Sequence, residues 1–155
     1  MKHSAIVMGI GNPLLQDDRA GIEVVEKLLE RGAPMDHEML YSVGFEVMDK
    51  MLGYETAFVV DAAMLGREPG TIVEVTVDEI FASHALANSH AVTLGSTLKL
   101  GYELFPDEMP RKLRIILIQA EAPTEFSDQC TPKVQAAVAQ VADRIEQSLR
   151  AGRTP

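Results

Sequence analysis

Short apolar runs alternate with longer amphipathic stretches along this chain. Ala5-Ile6-Val7-Met8, Thr56-Ala57-Phe58-Val59-Val60 and Leu113-Arg114-Ile115-Ile116-Leu117-Ile118 are brief and rich in β-branched residues. Runs of that kind, apolar on both faces, predict strands covered by helices on each side. The stretch from Thr71 to Val77 alternates over part of its length and that from Glu38 to Val43 is weaker, so both predict edge strands. Val24, Val25, Leu28 and Leu29 predict an amphipathic helix within Asp17 to Arg31, stopped by Gly32 and Pro34. Leu94, Leu98, Tyr102 and Phe105 form a second stripe after Ser89. Val134, Val138, Val141, Ile145 and Leu149 form a third after the Thr131-Pro132 start signal. A shorter helix is expected from Phe45 to Leu52. The order of elements predicts a three-layer α/β/α sandwich around a twisted, mainly parallel but mixed sheet of about five strands. Residues 1–150 read as a single α/β domain and 151–155 as a disordered tail.

Composition narrows the function. The 155 residues are 46% hydrophobic, enough for a core without disulfide or metal staples. Lys plus Arg number 14 against 23 Asp plus Glu, a formal charge of −9, which argues against nucleic acid or an anionic membrane surface as the partner. The single Cys130 has no disulfide mate and no zinc-finger or redox spacing. The apolar run at the start meets Gly9 at once, too short for a signal sequence or membrane span, so a cytoplasmic setting is expected. Several of the eight methionines (Met35, Met39, Met48, Met51 and Met64) read as gap-filling packing rather than metal transport. The acidic stretch Glu121 to Asp128 reads as a solvated connection, with contact to a protein partner beside the cleft as the alternative.

In open α/β sheets ligands gather beyond the carboxyl ends of the strands. Three places there carry chemistry: Gly9-Ile10-Gly11-Asn12 leading to Asp17-Asp18, then Asp61, then Asn88-Ser89-His90. The glycine pair lacks the third glycine of a dinucleotide fingerprint, since position 14 is leucine. Gly9 and Gly11 therefore read either as a tight turn at positive φ, with Asn12 tolerating the same region, or as a more specific device. One of Asp17 and Asp18 suffices to cap the following helix, which leaves the other for the cleft. Asp61 at the end of so apolar a strand is costly to bury unpaired. It is either a structural hydrogen-bond acceptor or a working carboxylate. His90, one residue past a Ser89 N-cap, is held neutral by the helix end and can serve as a metal ligand or as a surface residue. His3, His37 and His84 have no comparable context and read as exposed. Two carboxylates and a neutral imidazole form an incomplete shell for a divalent ion, with mixed donors suited to zinc or nickel rather than calcium. The common hydrolase motifs are absent.

These residues resemble those of the endopeptidases that mature the large subunit of NiFe hydrogenases. The likeness runs in order through Gly9-Ile10-Gly11-Asn12, Leu14-Leu15, Asp17-Asp18, Gly21, Val59-Val60-Asp61-Ala62, Pro69-Gly70-Thr71, Ser89-His90 with Leu94, and Thr131-Pro132. The resemblance implies an α/β/α fold and removal of a C-terminal extension from the nickel-loaded large-subunit precursor. It also implies that Asp18, Asp61 and His90 contact the metal and carry the catalysis. Nickel would arrive with the substrate, and no organic cofactor is expected. Gly9, Gly11, Asn12, Ser42 and Gly44 are expected to shape the loops or meet the substrate. This chain departs from the family at Met39-Leu40-Tyr41-Ser42-Val43-Gly44, where relatives often carry Asp-Gly-Gly-Thr and only the Ser42 hydroxyl and Gly44 are retained. Two other classes stay open: a module that senses nickel or chaperones the precursor without cutting it, and a small-molecule enzyme using the glycine turn for a nucleotide.

Overall fold

The structure is a computed structural model and describes residues 2–83, 86, 91–121 and 126–152. Five strands, β1 (Ala5–Ile10), β2 (Asp36–Leu40), β3 (Thr56–Ala63), β4 (Ile72–Val75) and β5 (Lys112–Gln119), form one sheet in the order β2-β1-β3-β5-β4. All neighbours are parallel except β4, which runs antiparallel to β5. The three continuous apolar runs are the interior strands and the two weaker ones are the edges. A strand with neighbours on both sides must bury both faces, whereas an edge strand tolerates polar positions.

Alternation along the strands sorts the core into two layers. Val7, Phe58, Val60, Ile116 and Ile118 pack against α1 (Ala20–Glu30) and α5 (Pro132–Ala151). Ile6, Met8, Ala57, Val59, Ile115 and Leu117 point the other way, against α2 (Phe45–Met51), α3 (Val77–Ala82) and α4 (Ala91–Leu104). The expected stripe Val134, Val138, Val141, Ile145 and Leu149 is buried throughout, at about 1.5–3 kcal/mol for each large apolar side chain removed from water. In α4, Leu94 and Leu98 are buried while Phe105 falls just past the helix and stays exposed.

Three sequence expectations are corrected here. The Thr71 to Val77 strand stops at Val75, because Thr76 opens α3. Thr76 Oγ1 accepts from Glu79 N at 3.1 Å, and Thr76 N donates back to Glu79 Oε1 at 3.2 Å. That reciprocal cap was present in the sequence as Thr-x-x-Glu. Ala151, assigned to the expected tail, is instead the last residue of α5 and Gly152 its cap, and 153–155 lie outside the described residues. Met64 is exposed, whereas Met35, Met48 and Met51 pack as expected.

Gly9 lies inside β1 and owes its role to packing, not to positive φ. A Cβ there would stand 2.3 Å from Gly21 O, and one on Gly21 would stand 2.2 Å from Val60 O. The two glycines let the first turn of α1 rest directly on β1 and β3. All these contacts are backbone, so nothing can rotate away. Gly21→Ala is expected to cost about 3 kcal/mol in urea unfolding. Gly44, extended at φ −169° with open space around its Cα, is expected to accept alanine at a cost under about 1 kcal/mol. Equal sensitivity at the two positions would contradict this packing account.

Candidate active site

The strand order reverses between β1 and β3, because β1 connects outward to β2 and the chain then returns to β1's other side. At such a switch point the loops leaving the carboxyl ends diverge and open a crevice. A cleft of about 320 Å³ occurs there, lined by Ile10, Gly11, Asp18, Tyr41, Ser42, Val43, Asp61 and Thr93. Asp18 and Asp61, brought from different elements, share it as expected. Ser42 lines it as well, and Gly44 forms the start of α2 without entering it. His90 lies outside the described residues; α4 begins at Ala91, and Thr93 of its first turn lines the cleft.

The loop after β1 aims Asp18. Gly11 N donates to Leu40 O at 2.9 Å, tying the loop to β2. Gly11 adopts φ +153°, and a Cβ on it would stand 1.9 Å from Asp18 O, so only glycine lets the next turn fold back this closely. Asn12 does not take positive φ; among the described non-glycine residues only Gln16 does. Asn12 works through hydrogen bonds instead: its Oδ1 accepts from Leu14 N at 2.9 Å, and its N–H donates to Asp18 Oδ2 at 2.9 Å. The short 3₁₀ turn Gln16–Arg19 then sends the two adjacent carboxylates to different partners.

Asp17 is fully buried. Its Oδ1 accepts from Thr131 N at 2.7 Å and from Thr131 Oγ1 at 2.9 Å, and its Oδ2 accepts from Glu121 N at 2.8 Å. Neither aspartate caps a helix through its side chain, which corrects the expected cap: Asp17 instead accepts from a distant loop, while Asp18 lines the cleft. That loop is more than a solvated connection, because Ser127 also bonds Leu14 and Gln16 through the backbone. Gln119, buried at the end of β5, was not anticipated either. Its Oε1 accepts from Leu65 N at 2.7 Å and Arg67 N at 3.2 Å, bracing the loop after β3.

Asp61 lies within β3, two residues before its end, and pairs in register with Leu117. Alternation with Val59 and Ala63 turns its side chain toward the α4 layer. It is only 5% exposed. Burial first, and the nearby Asp18 carboxylate second, push its pKa well above the ordinary range, while the Ala62 N–H counteracts part of the rise. A buried carboxylate beside another carboxylate is a site whose charge is uncompensated by the described residues. A divalent cation in the cleft would relieve both the desolvation and the repulsion. Among the described residues no three His, Cys, Asp or Glu side chains form a metal cluster, so two carboxylates are the part of the expected ligand set described.

The remaining reactive groups stand apart. Cys130 is buried, its Sγ donates to Gln16 O at 3.6 Å, and desolvation first and the nearby Glu23 carboxylate second push its thiol far above the ordinary value, which argues against a nucleophile. His37 is exposed as expected, His3 is half-buried, and His84 lies outside the described residues. Among the described residues no helix is long and apolar enough to cross a membrane.

Comparison with known proteins agrees with the geometry. The model of the HycI hydrogenase maturation protease family matches residues 22–148. Hydrogenase 2 maturation protease of Escherichia coli (strain K12) is 27% identical over 150 residues, covering 94% of this chain and 90% of that protein. The solved structure of the hydrogenase maturating endopeptidase HybD from E. coli superposes with a TM-score of 0.76 at 27% identity, covering 96% of this chain and 93% of that one. The NiFe hydrogenase maturation protease HybD from Thermococcus kodakarensis shares the fold, with a TM-score of 0.71 at 23% identity over 94% and 98% of the two chains. With a family match across most of its length, this chain belongs to the hydrogenase maturation proteases, enzymes that cleave peptide bonds.

Proposed function

We propose that this enzyme removes the C-terminal extension of a NiFe hydrogenase large-subunit precursor and recognises nickel already loaded in that precursor. The supporting observation is the buried Asp61 carboxylate beside Asp18 at the sheet's switch point, a pair whose electrostatics favour a cation. His90, proposed as the third ligand from the resemblance, would add neutral nitrogen to two oxygen donors, a set that suits nickel. Nickel is here part of the substrate, and its binding would favour loss of any proton held by Asp61.

Anchoring the ion fixes the adjacent scissile peptide beside the carboxylates and converts the attack into a local event. Water adds to the carbonyl carbon, the carbon–nitrogen bond breaks, and the leaving amine takes up a proton. Asp18 and Asp61 would hold the ion, and the ion or one of these carboxylates would polarise the carbonyl or activate the water.

The test is intact mass of the precursor after incubation with the enzyme, with nickel-loaded and nickel-free precursor in parallel. Loss of a C-terminal fragment in the loaded sample alone is the expected result. Binding of loaded precursor without any cleavage would replace this reading with a sensing or chaperone role. His90→Ala is expected to keep its fold by circular dichroism and to lose processing; a His90→Ala protein with normal processing would remove His90 from the ligand set.

A further inference from the structure

The apolar residues left exposed are not scattered evenly. Among the described residues, nine large hydrophobics are exposed: Leu14, Leu29, Tyr41, Phe45, Met64, Phe81, Leu104, Phe105 and Phe126. Five of these, Leu14, Tyr41, Phe45, Met64 and Phe126, follow the carboxyl ends of β1, β2, β3 and β5, the edge where the acidic cleft opens. Phe126 is 84% exposed and Tyr41 is 71% exposed. Tyr41 also lines the cleft itself, so the exposed apolar set meets the carboxylate site at that residue.

Aromatic and methionine side chains held in water beside a functional cleft mark a protein-contact surface. The loops are also braced. Ser127 N donates to Leu14 O at 3.0 Å and Gln16 N to Ser127 O at 3.1 Å, which stitches the segments carrying Leu14 and Phe126 together. A surface preordered in this way loses less entropy on binding. Exposed carboxylates Glu46, Glu121 and Asp128 belong to the same loops and to the start of α2.

We infer that this rim is the docking surface for a folded partner, the precursor itself, which presents its metal at the centre of an apolar face edged with basic side chains. This rests on the function proposed above. A free ion or a short extended peptide entering the cleft would leave most of an apolar rim spread over four loops unused. A folded face would cover it, with its cation seated on Asp18 and Asp61 and its basic edge opposite Glu46, Glu121 and Asp128.

The experiment is calorimetric binding of nickel-loaded precursor to the wild-type enzyme and to a Phe45→Ser/Phe126→Ser double variant, with processing followed by intact mass. Leu104→Ser, an exposed apolar position at the end of α4 remote from the cleft, is the control. The double variant is expected to bind about tenfold or more weakly, with kcat at saturation within about twofold, and the control to match wild type. Added salt should weaken binding by all three proteins. Unchanged affinity in the double variant would overturn the inference. So would sedimentation showing a wild-type dimer that the double variant converts to monomer, since the rim would then belong to a second copy of this chain. If the wild type binds but does not cleave, the peptidase reading fails while the difference in affinity still decides the docking surface.

Discussion

Asp61→Asn is expected to yield a protein that does not process the precursor and yet is at least as stable as the wild type. The loss of activity should be about 10² to 10⁴ in rate, because an amide neither carries the charge that holds a cation nor exchanges a proton. The stability gain has a definite sign. Asp61 has a raised pKa in the folded state, owing to burial and to Asp18. As pH rises past the ordinary carboxylate value of about 4, the unfolded chain gives up its proton first and the folded chain retains it. Wild-type stability therefore falls as pH rises through that window up to the folded pKa, and the amide variant is free of the penalty. Urea unfolding of metal-free protein at about pH 5 and about pH 8 should show the variant's advantage growing with pH. A variant less stable than wild type at the higher pH would mean that Asp61 is a satisfied structural acceptor.

The two neighbouring aspartates are expected to respond oppositely to the same change. Asp17→Asn should lower stability by about 3 kcal/mol. Both of its oxygens accept backbone N–H groups, from Thr131 and Glu121, so an amide turned either way sets its own N–H against one of them. Asp18→Asn should change stability by less than about 1 kcal/mol, because one amide oxygen can still accept from Asn12 N. It should nevertheless abolish processing. Urea midpoints and intact-mass assays on the two variants decide the matter. A stability loss at Asp18 equal to that at Asp17 would show that the turn, rather than either carboxylate, is what the substitutions disturb.

The contrast between these residues marks how far the site could be read in advance. An aspartate facing the cleft was expected on the ground that its neighbour would cap the following helix, and that cap is not formed. Which partner the other would take did not follow, because Thr131 is 114 residues away and no local pattern points to it. The same holds for Gln119, whose burial is meaningful only once the loop after β3 is seen to need acceptors. Asp61 was legible as a costly acid, but its place inside β3 was not, since the apolar run ends at Val60 while the backbone pairing with β5 continues to Ala63. The short helix α3 was legible in principle from Thr76 and Glu79, and the β-branched residues before and after Thr76 concealed it.

By itself, then, the amino-acid order determined what depends on near neighbours and periodicity. The strands buried on both faces, the edge strands and the stripes of α1, α4 and α5 are all consequences of solvent exclusion acting along a repeating backbone. The tertiary structure alone decided what depends on approach between distant backbones. Gly9 serves to admit Gly21 rather than to turn the chain, Gly11 admits the Asp18 backbone, and Asp17 and Asp18 part company on a single non-repeating turn. Their directions are set by steric contact and by hydrogen bonds to partners across the fold. Those terms have no periodicity along the chain, and for that reason they come into being only when the layers close.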